Sequence, residues 1–196
     1  KEYQKPKDER AIIAGKEHPA LSDVAADVLG RVFDVFLRAN FESKGGLGVY
    51  LTPAPVKQCM LQMVMHDILE ESPEILNTKG ADNNPVFRFL DPTCGSYGFG
   101  SIALGFVERA LMDVLGAETS DDVRRHEHFK AMLDHSFVGA DATPQMVILA
   151  RVNMALLGAP KANIFKTDDS LITPQLKAGS FDLICTNPPF GKSKSD

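Results

Sequence analysis

The stretch that most constrains the fold is residues 182–190, where a short, largely apolar run passes directly into two consecutive prolines. Residues 181–185 are predicted to form a buried strand, because an apolar run bounded by turn residues is typical of the centre of a parallel sheet. Pro188 and Pro189 then fix two φ angles, and Pro188 biases Asn187 toward an extended conformation. We therefore expect a stiff turn at the carboxyl end of a strand, where open α/β sheets bind ligands. The alternative is an ordinary proline-rich turn.

Strand and helix patterns alternate upstream of this turn. The strands are predicted at 86–90, 137–140, 162–166 and 181–185, and the helices at 54–70, 99–115 and 144–157. Because parallel strands need helical crossovers, the pattern predicts an α/β fold with a partial parallel sheet, flanking helices and ligand loops on one edge. Residues 116–135 are polar and are predicted to be a solvated helical insertion. His126 and His128 lie there without a carboxylate or cysteine pattern, so no metal site is expected.

The N-terminal part is predicted to be a short helical segment, residues 1–48, followed by a domain over residues 49–196. Residues 1–18 are expected to be a frayed arm, and residues 21–40 repeat apolar positions at helical spacing. Thr52 is predicted to cap the helix over 54–70. The buried side of that helix is expected to be formed by Cys59, Met60, Met63, Val64 and Ile68.

Composition excludes several classes of protein. The chain has 196 residues, is 44% hydrophobic and carries a net charge of −5, which argues against a self-sufficient nucleic-acid binder. No apolar run approaches membrane-spanning length, so no membrane partner is expected. Cys59, Cys94 and Cys185 form no CxxC pair and fit reduced thiols in a cytoplasmic protein.

Three loop positions have both a structural and a functional interpretation. Thr52 either only caps its helix or, with the helix amides, holds a carboxylate. The loop at residues 91–99 contains two glycines and precedes a helix, an arrangement that brings backbone amides close to a ligand but also serves as a plain connection. Asp141 ends the second strand, a position where an acidic residue often binds ribose hydroxyls, and a helix N-cap is an equally good interpretation.

A nicotinamide dehydrogenase is disfavoured because the first loop lacks G-x-G-x-x-G.

The order of these motifs resembles a known family. Gly48-Val49-Tyr50-Leu51-Thr52-Pro53 is followed by Asp91-Pro92-Thr93-Cys94-Gly95-Ser96-Tyr97-Gly98-Phe99, Gly139-Ala140-Asp141, Asp168-Asp169-Ser170-Leu171 and Asn187-Pro188-Pro189-Phe190. This series is similar to the gamma class of adenine-N6 DNA methyltransferases, and most similar to the modification subunit of type I restriction-modification systems. The resemblance covers residues 27–191, and its most specific element is Asn-Pro-Pro-Phe. It implies a Rossmann-like S-adenosylmethionine-dependent methyltransferase fold.

The resemblance also implies roles for individual residues. The methionine carboxylate end of S-adenosylmethionine would be contacted by Tyr50, Leu51 and Thr52. The methionine moiety would be wrapped by Asp91, Pro92, Thr93, Cys94 and Gly95. Asp141 would bind the ribose, Ala142 would lie beside the adenine, and Asp169 or its neighbour Asp168 would accept from the adenine amine. The catalytic turn would consist of Asn187, Pro188, Pro189 and Phe190, with the target adenine held by Asn187, Pro188 and Phe190.

One departure and several alternatives accompany this interpretation. The family usually has Gly or Ala where this chain has Tyr97, and a tyrosine there could narrow the cofactor pocket or swing outward. Methylation of a protein glutamine or of guanine in RNA uses a similar Asn-Pro-Pro turn, and a non-catalytic fragment that binds a partner or the cofactor is a third alternative. DNA recognition is expected to lie in other domains or in a specificity subunit, with a restriction subunit as a further partner. We expect the sheet to be C-terminally truncated and this fragment alone to be inactive.

Overall fold

The structure of the chain is a computed structural model that describes residues 11–13, 16–18, 35 and 52–189. The first elements are β1 (Ala11–Ile13) and β2 (Lys16–His18), which pair antiparallel with Ala11 opposite His18. The expectation of a frayed arm over residues 1–18 is therefore wrong for these six residues, because backbone pairing orders them. The helix predicted over residues 21–40 lies outside the described residues apart from Val35, which is helical and exposed.

The remaining elements follow the predicted alternation of helices and strands. They are α1 (Ala54–Glu71), β3 (Phe89–Asp91), α2 (Gly98–Leu115), α3 (Ser120–Arg125), α4 (Glu127–His135), β4 (Phe137–Asp141), α5 (Pro144–Leu156), β5 (Asn163–Lys166) and β6 (Leu183–Ile184). The predicted helices therefore agree with the structure to within a residue at most of their ends. The first and last strands of the sheet are shorter than predicted, with three residues in β3 and two in β6.

Four strands form one parallel sheet in the order β5-β4-β3-β6. β3 pairs in parallel with β4 and with β6, and β4 pairs in parallel with β5. The predicted parallel α/β sheet is thus confirmed. Since all four strands run the same way, their carboxyl ends meet at one edge, and the loops that follow them converge there.

The core lies between the sheet and the helices and includes fully buried aromatic rings at Phe87, Phe89 and Phe137. The segment between α2 and β4 also belongs to it, since Val123, Phe129 and Met132 are buried. The expectation of a merely solvated insertion over residues 116–135 is therefore wrong in part. Short amphipathic helices place these apolar side chains inward and their charges outward.

Helix α1 buries a different side from the predicted one. Leu61 and Met65 are buried together with Lys57, whereas Cys59, Met60, Met63 and Val64 are exposed and only Ile68 is partly buried. The helix is apolar on more than one side, so the spacing of its apolar residues did not define a single face. The helix begins at Ala54 as predicted, but its N-cap residue differs from the predicted one. Pro53 is its N-cap and Thr52 is not, because Pro53 O accepts from the amides of Val56 and Lys57 at 3.0 and 3.1 Å.

No helix within the described part of the chain is both long enough and apolar enough to cross a membrane.

Candidate functional site

A cavity of about 730 Å³ lies at the carboxyl edge of the parallel sheet. The site residues predicted from the sequence that line it are Thr52, Asp91, Pro92, Thr93, Cys94, Gly95, Asp141, Ala142, Asp168, Asp169, Asn187, Pro188 and Pro189. The structure therefore brings together every predicted site residue that it describes. Tyr50, Leu51 and Phe190 lie outside the described residues.

The loop after β3 forms the floor of this cavity. Asp91 ends the strand, is 1% exposed, and accepts a hydrogen bond from the Thr93 backbone N–H at 3.2 Å. Burial raises the pKa of the Asp91 carboxyl to about 7, against the opposing effects of hydrogen bonds from Thr186 and Thr93 and of the Lys57 ammonium. The neighbouring Asp141 carboxylate raises that pKa further. Near pH 7 the Asp91 carboxyl is therefore close to the midpoint of its titration.

Tyr97 lies in the core and does not line the cavity. Its backbone is left-handed, with φ 65° and ψ 39°, immediately before α2. The side chain is fully buried, its hydroxyl donates to Val138 O at 2.9 Å, and its ring packs edge-on against Phe89. A Cβ on Gly139 would lie 2.7 Å from Tyr97 Cε2, and one on Gly100 would collide with the ring, so both glycines make room for it. The tyrosine neither narrows the pocket nor swings outward.

Asp141 joins two of the loops around the cavity. Its Oδ2 accepts from the Gly95 backbone N–H at 2.9 Å, and its Oδ1 accepts from the Thr143 N–H at 2.8 Å. The alternative interpretation as a helix N-cap is wrong, because Thr143 occupies that position at the start of α5. A carboxylate has about four acceptor positions, so each oxygen keeps capacity for a further donor from the cavity.

The acidic loop after β5 lies on the same side of the cavity as Asp141. The exposed Asp168 carboxylate forms an ion pair with Lys166. Asp169 Oδ1 accepts from the Leu171 N–H at 2.8 Å, and the Ser170 hydroxyl donates to Pro92 O. That last bond fastens the acidic loop to the loop after β3.

The Asn-Pro-Pro turn after β6 is hydrogen-bonded to the loop after β3 through threonine hydroxyl groups. Thr93 Oγ1 lies 2.6 Å from Thr186 Oγ1 and donates to the Asn187 backbone carbonyl at 3.3 Å. Thr186 in turn hydrogen-bonds the Asp91 carboxyl. Asn187 is half-buried, while Pro188 and Pro189 are exposed at the mouth of the cavity. The two loops therefore hold the turn at a fixed position beside the floor of the cavity.

Ten lining residues were not assigned to the site from the sequence, although five of them lie within the motifs quoted above. They are Lys57, Ser96, Gly98, Phe99, Thr143, Met146, Thr167, Ser170, Leu171 and Thr186. Lys57 had a detectable signal, because it shares the i, i+4, i+8 spacing of Leu61 and Met65 and so lies on the buried stripe of α1. Thr186 and Ser170 adjoin predicted residues, but nothing local indicates the partners of their hydroxyl groups.

His126 and His128 have structural roles. His126 Nδ1 accepts from the His128 backbone N–H at 3.2 Å at the start of α4, and the buried His128 ring lies with Nε2 2.7 Å from Leu76 O. Among residues 52–189 and the two short N-terminal strands, no group of three or more His, Cys, Asp or Glu side chains is arranged to hold a metal ion.

The parallel sheet, the loops at its carboxyl edge and the cavity define a Rossmann-like α/β domain with a ligand site. A profile model of the N-6 DNA methylase family matches residues 24–196, and the chain belongs to this family.

Individual relatives agree with this assignment. The chain is 32% identical over 175 residues to the type II methyltransferase M.MamI of Microbacterium ammoniaphilum, a match that covers 87% of the chain and 42% of that protein. It is 27% identical to the type I restriction enzyme MjaIX methylase subunit of Methanocaldococcus jannaschii, over 94% of the chain and 26% of that protein. The chain thus spans less than half the length of these relatives.

A solved structure has the same fold. It is a modification subunit of a putative type I restriction enzyme from Vibrio vulnificus YJ016, with a TM-score of 0.53 and 23% sequence identity. The match covers 91% of this chain and 31% of that one.

Proposed function

We propose that this chain carries the cofactor site and catalytic turn of an adenine-N6 DNA methyltransferase that acts in the cytoplasm within a restriction-modification system. The methyl donor would be S-adenosylmethionine, and the target would be the exocyclic amine of adenine. The observation that carries the proposal is the set of contacts from Thr93 to Thr186 and Asn187, which fixes the Asn-Pro-Pro turn against the floor of the same cavity that Asp91 and Asp141 line.

The residues of the cavity suit this cofactor. A volume of about 730 Å³ is within the usual range for a site that encloses a small organic ligand. Asp141 has free acceptor capacity for two ribose hydroxyls, Asp169 or Asp168 would accept from the adenine amine, and Ala142 would lie beside the ring. A Cβ on Gly95 would meet no atom within 4 Å, so the cavity floor is open where the backbone would approach the methionine moiety. The carboxylate end would lie at the start of α1, next to Thr52, with Tyr50 and Leu51.

When bound, S-adenosylmethionine would supply an electrophilic methyl group on a sulfonium. The adenine amine is a weak nucleophile, because its lone pair is delocalised into the ring. The Asn187 side-chain oxygen and the Pro188 carbonyl would accept its two hydrogens, which favours lone-pair density on nitrogen and stabilises the positive charge that develops there. The rigid turn would hold the amine in line with the methyl group. Phe190 would stack on the base, which must leave the duplex at a cost of about a few kcal/mol.

The partners of the reaction belong to the proposal as well. The net charge of −5 argues against a chain that binds DNA without help. DNA would therefore be bound by other domains or by a specificity subunit, and a restriction subunit would be a further partner in the same system. The similar proteins named above are restriction-modification proteins, which favours DNA over a protein glutamine or RNA guanine. Because the chain spans less than half the length of these relatives, we expect it to be inactive in methyl transfer by itself.

The test is replacement of the amide that would accept from the target amine. Asn187→Ala is expected to reduce methyl transfer to unmethylated DNA in the complete protein by about 100-fold or more, because an acceptor that acts on developing charge is removed. Binding of S-adenosylmethionine should change by less than about threefold, since Asn187 would face the target base. The matched control is Asn77→Ala, an exposed position outside the cavity. Full methyl transfer by Asn187→Ala would exclude the proposed mechanism.

A further inference from the structure

A second cavity lies at the opposite edge of the parallel sheet from the proposed cofactor site. Its volume is about 670 Å³, within the range of sites that bind small ligands. Its lining comes mainly from the segments that lead into β3, β4 and β5, together with Arg151 of α5. Because parallel strands run in one direction, their amino ends meet at this edge, and no described residue lines both cavities. The second cavity is therefore a separate candidate site.

Arg88 brings a positive charge into this cavity without a matching anion. Its backbone N–H donates to Asp182 Oδ2 at 2.7 Å, and its guanidinium carbon lies 5.2 Å from the centre of the Phe181 ring. The side chain is half-buried, and its Nε is buried with no hydrogen-bond partner. The aromatic ring attracts the charge but is not an acceptor in the plane of the guanidinium. A buried N–H without an acceptor is rare in native proteins, and a ligand oxygen would complete it.

Arg151 contributes a second guanidinium from α5. Its Nε donates to Ile164 O at 2.8 Å, which fixes the side chain against β5 and leaves the terminal N–H groups for other acceptors. Within the described part of the chain, neither Arg88 nor Arg151 forms an ion pair with a carboxylate. Two guanidinium groups therefore line one cavity with uncompensated charge.

The other charged groups of this cavity already have partners. Lys161 pairs with Asp134 at 3.1 Å. Asp82 accepts from the Asn84 side-chain amide at 2.9 Å and from its backbone N–H at 3.1 Å. These hydrogen bonds, and to a smaller extent the charge of His135, lower the pKa of the Asp82 carboxyl. The excess positive charge of the cavity is therefore carried by its two arginines, in a chain whose net charge is −5.

The chemistry of two arginines favours a phosphate group as the ligand. A guanidinium is planar, keeps its charge at ordinary pH, and donates to two oxygens of a phosphate or carboxylate at once. A carboxylate has two oxygens and is satisfied by one guanidinium. A terminal phosphate has three acceptor oxygens and a greater negative charge, so it can accept from both.

We propose that the cavity at the amino edge of the sheet binds a phosphate group, with Arg88 and Arg151 donating to its oxygens. The group belongs either to a small phosphorylated ligand, such as a nucleotide, or to the backbone of a nucleic acid, since both present the same oxygens. The site shares no residue with the cofactor cavity, so it stands or falls separately from the proposed function.

The test follows the arginine Nε–H signals of the isotope-labelled chain by NMR during titration with inorganic phosphate at constant ionic strength. The signals of Arg88 and Arg151, assigned by their loss in Arg88→Gln and Arg151→Gln, should shift together and saturate. In each variant the remaining signal should report an affinity lower by about tenfold or more, because one bidentate donor is lost.

The matched control is Arg109→Gln. The Arg109 guanidinium carbon also lies over an aromatic ring, 4.7 Å from the centre of Phe106, but Arg109 does not line the cavity. Phosphate affinity should therefore change by less than about threefold in this variant. If thermal melting shows that Arg88→Gln is unfolded, Arg151→Gln decides alone, since Arg151 is exposed.

The outcomes also identify the source of the phosphate group. Tighter binding of ATP than of inorganic phosphate, reduced in Arg151→Gln, would support the site and assign it to a small phosphorylated ligand. Tighter binding of a short duplex DNA, reduced in the same variant, would support the site and assign it to nucleic acid. The proposal would be overturned if neither arginine signal shifts with phosphate, if chloride shifts both signals as much, or if Arg151→Gln binds phosphate as tightly as wild type.

Discussion

The replacement Tyr97→Gly tests where the tyrosine ring lies. The ring is fully buried between Gly100 and Gly139, and its hydroxyl donates to Val138 O at 2.9 Å. Removal of a buried aromatic side chain costs about 4 kcal/mol, and loss of the hydrogen bond costs about 1 kcal/mol. Glycine relieves about 1 kcal/mol of backbone strain at the left-handed φ of 65°. The free energy of unfolding should therefore decrease by about 4 kcal/mol.

The assay is thermal melting combined with titration by S-adenosylmethionine. For a chain of this size the melting temperature should fall by roughly 8–16 °C, and cofactor affinity should stay within about threefold below that transition. Tyr97→Phe is the control, because it keeps the ring and loses only the hydroxyl, at about 1 kcal/mol. An unchanged or higher melting temperature together with an affinity increase of about tenfold or more would show that the ring occupies the pocket, and would refute this reasoning.

Two further predictions concern buried charges. Because burial raises the pKa of Asp91 from 3.8 to about 7, the folded chain holds this proton more tightly than the unfolded chain, so stability should fall as pH rises from about 4 to 7, by up to about 4 kcal/mol. Asp91→Asn should remove this part of the pH dependence in denaturant titrations, and an identical pH profile would contradict the prediction. Arg124 makes two hydrogen bonds to the buried Glu108 carboxylate, at 2.6 and 2.8 Å, so Arg124→Ala should lower the free energy of unfolding by about 3–5 kcal/mol. Lys130→Ala, which breaks the exposed pair with Glu127, should lower the free energy of unfolding far less in the same assay, and equal losses would rule out the burial argument.

The sheet was predictable because each of its strands is a short apolar run followed by turn residues. The helices between them have apolar residues at helical spacing. The convergence of Asp91, Asp141, Asp169 and Asn187 was predictable for the same reason, since parallel strands deliver their carboxyl ends to one edge. These features depend on residues that are neighbours in the chain, which is the range over which periodicity carries information.

Features that depend on distant residues were not predictable. The direction of the Tyr97 side chain is set by the space that two glycines leave for its ring, Gly100 on α2 and Gly139 on β4. The buried side of α1 was mispredicted because Met60 and Met63 are as apolar as Leu61, and the charge of Lys57 hid its place on the buried stripe. A pattern shows which residues can be buried, whereas the partner surface decides which of them are.

The measurement that tests the account most directly is calorimetric titration of the chain with S-adenosylmethionine, as wild type, Asp141→Ala and Asp113→Ala. Asp141 lines the cavity, and Asp113 is an exposed carboxylate on α2 outside it. The account predicts one cofactor bound per wild-type chain, affinity reduced by about tenfold or more in Asp141→Ala through loss of charged hydrogen-bond acceptors, and no change in Asp113→Ala. The account would be contradicted by a wild-type chain that binds no cofactor, or by an Asp141→Ala variant that binds it as tightly as wild type.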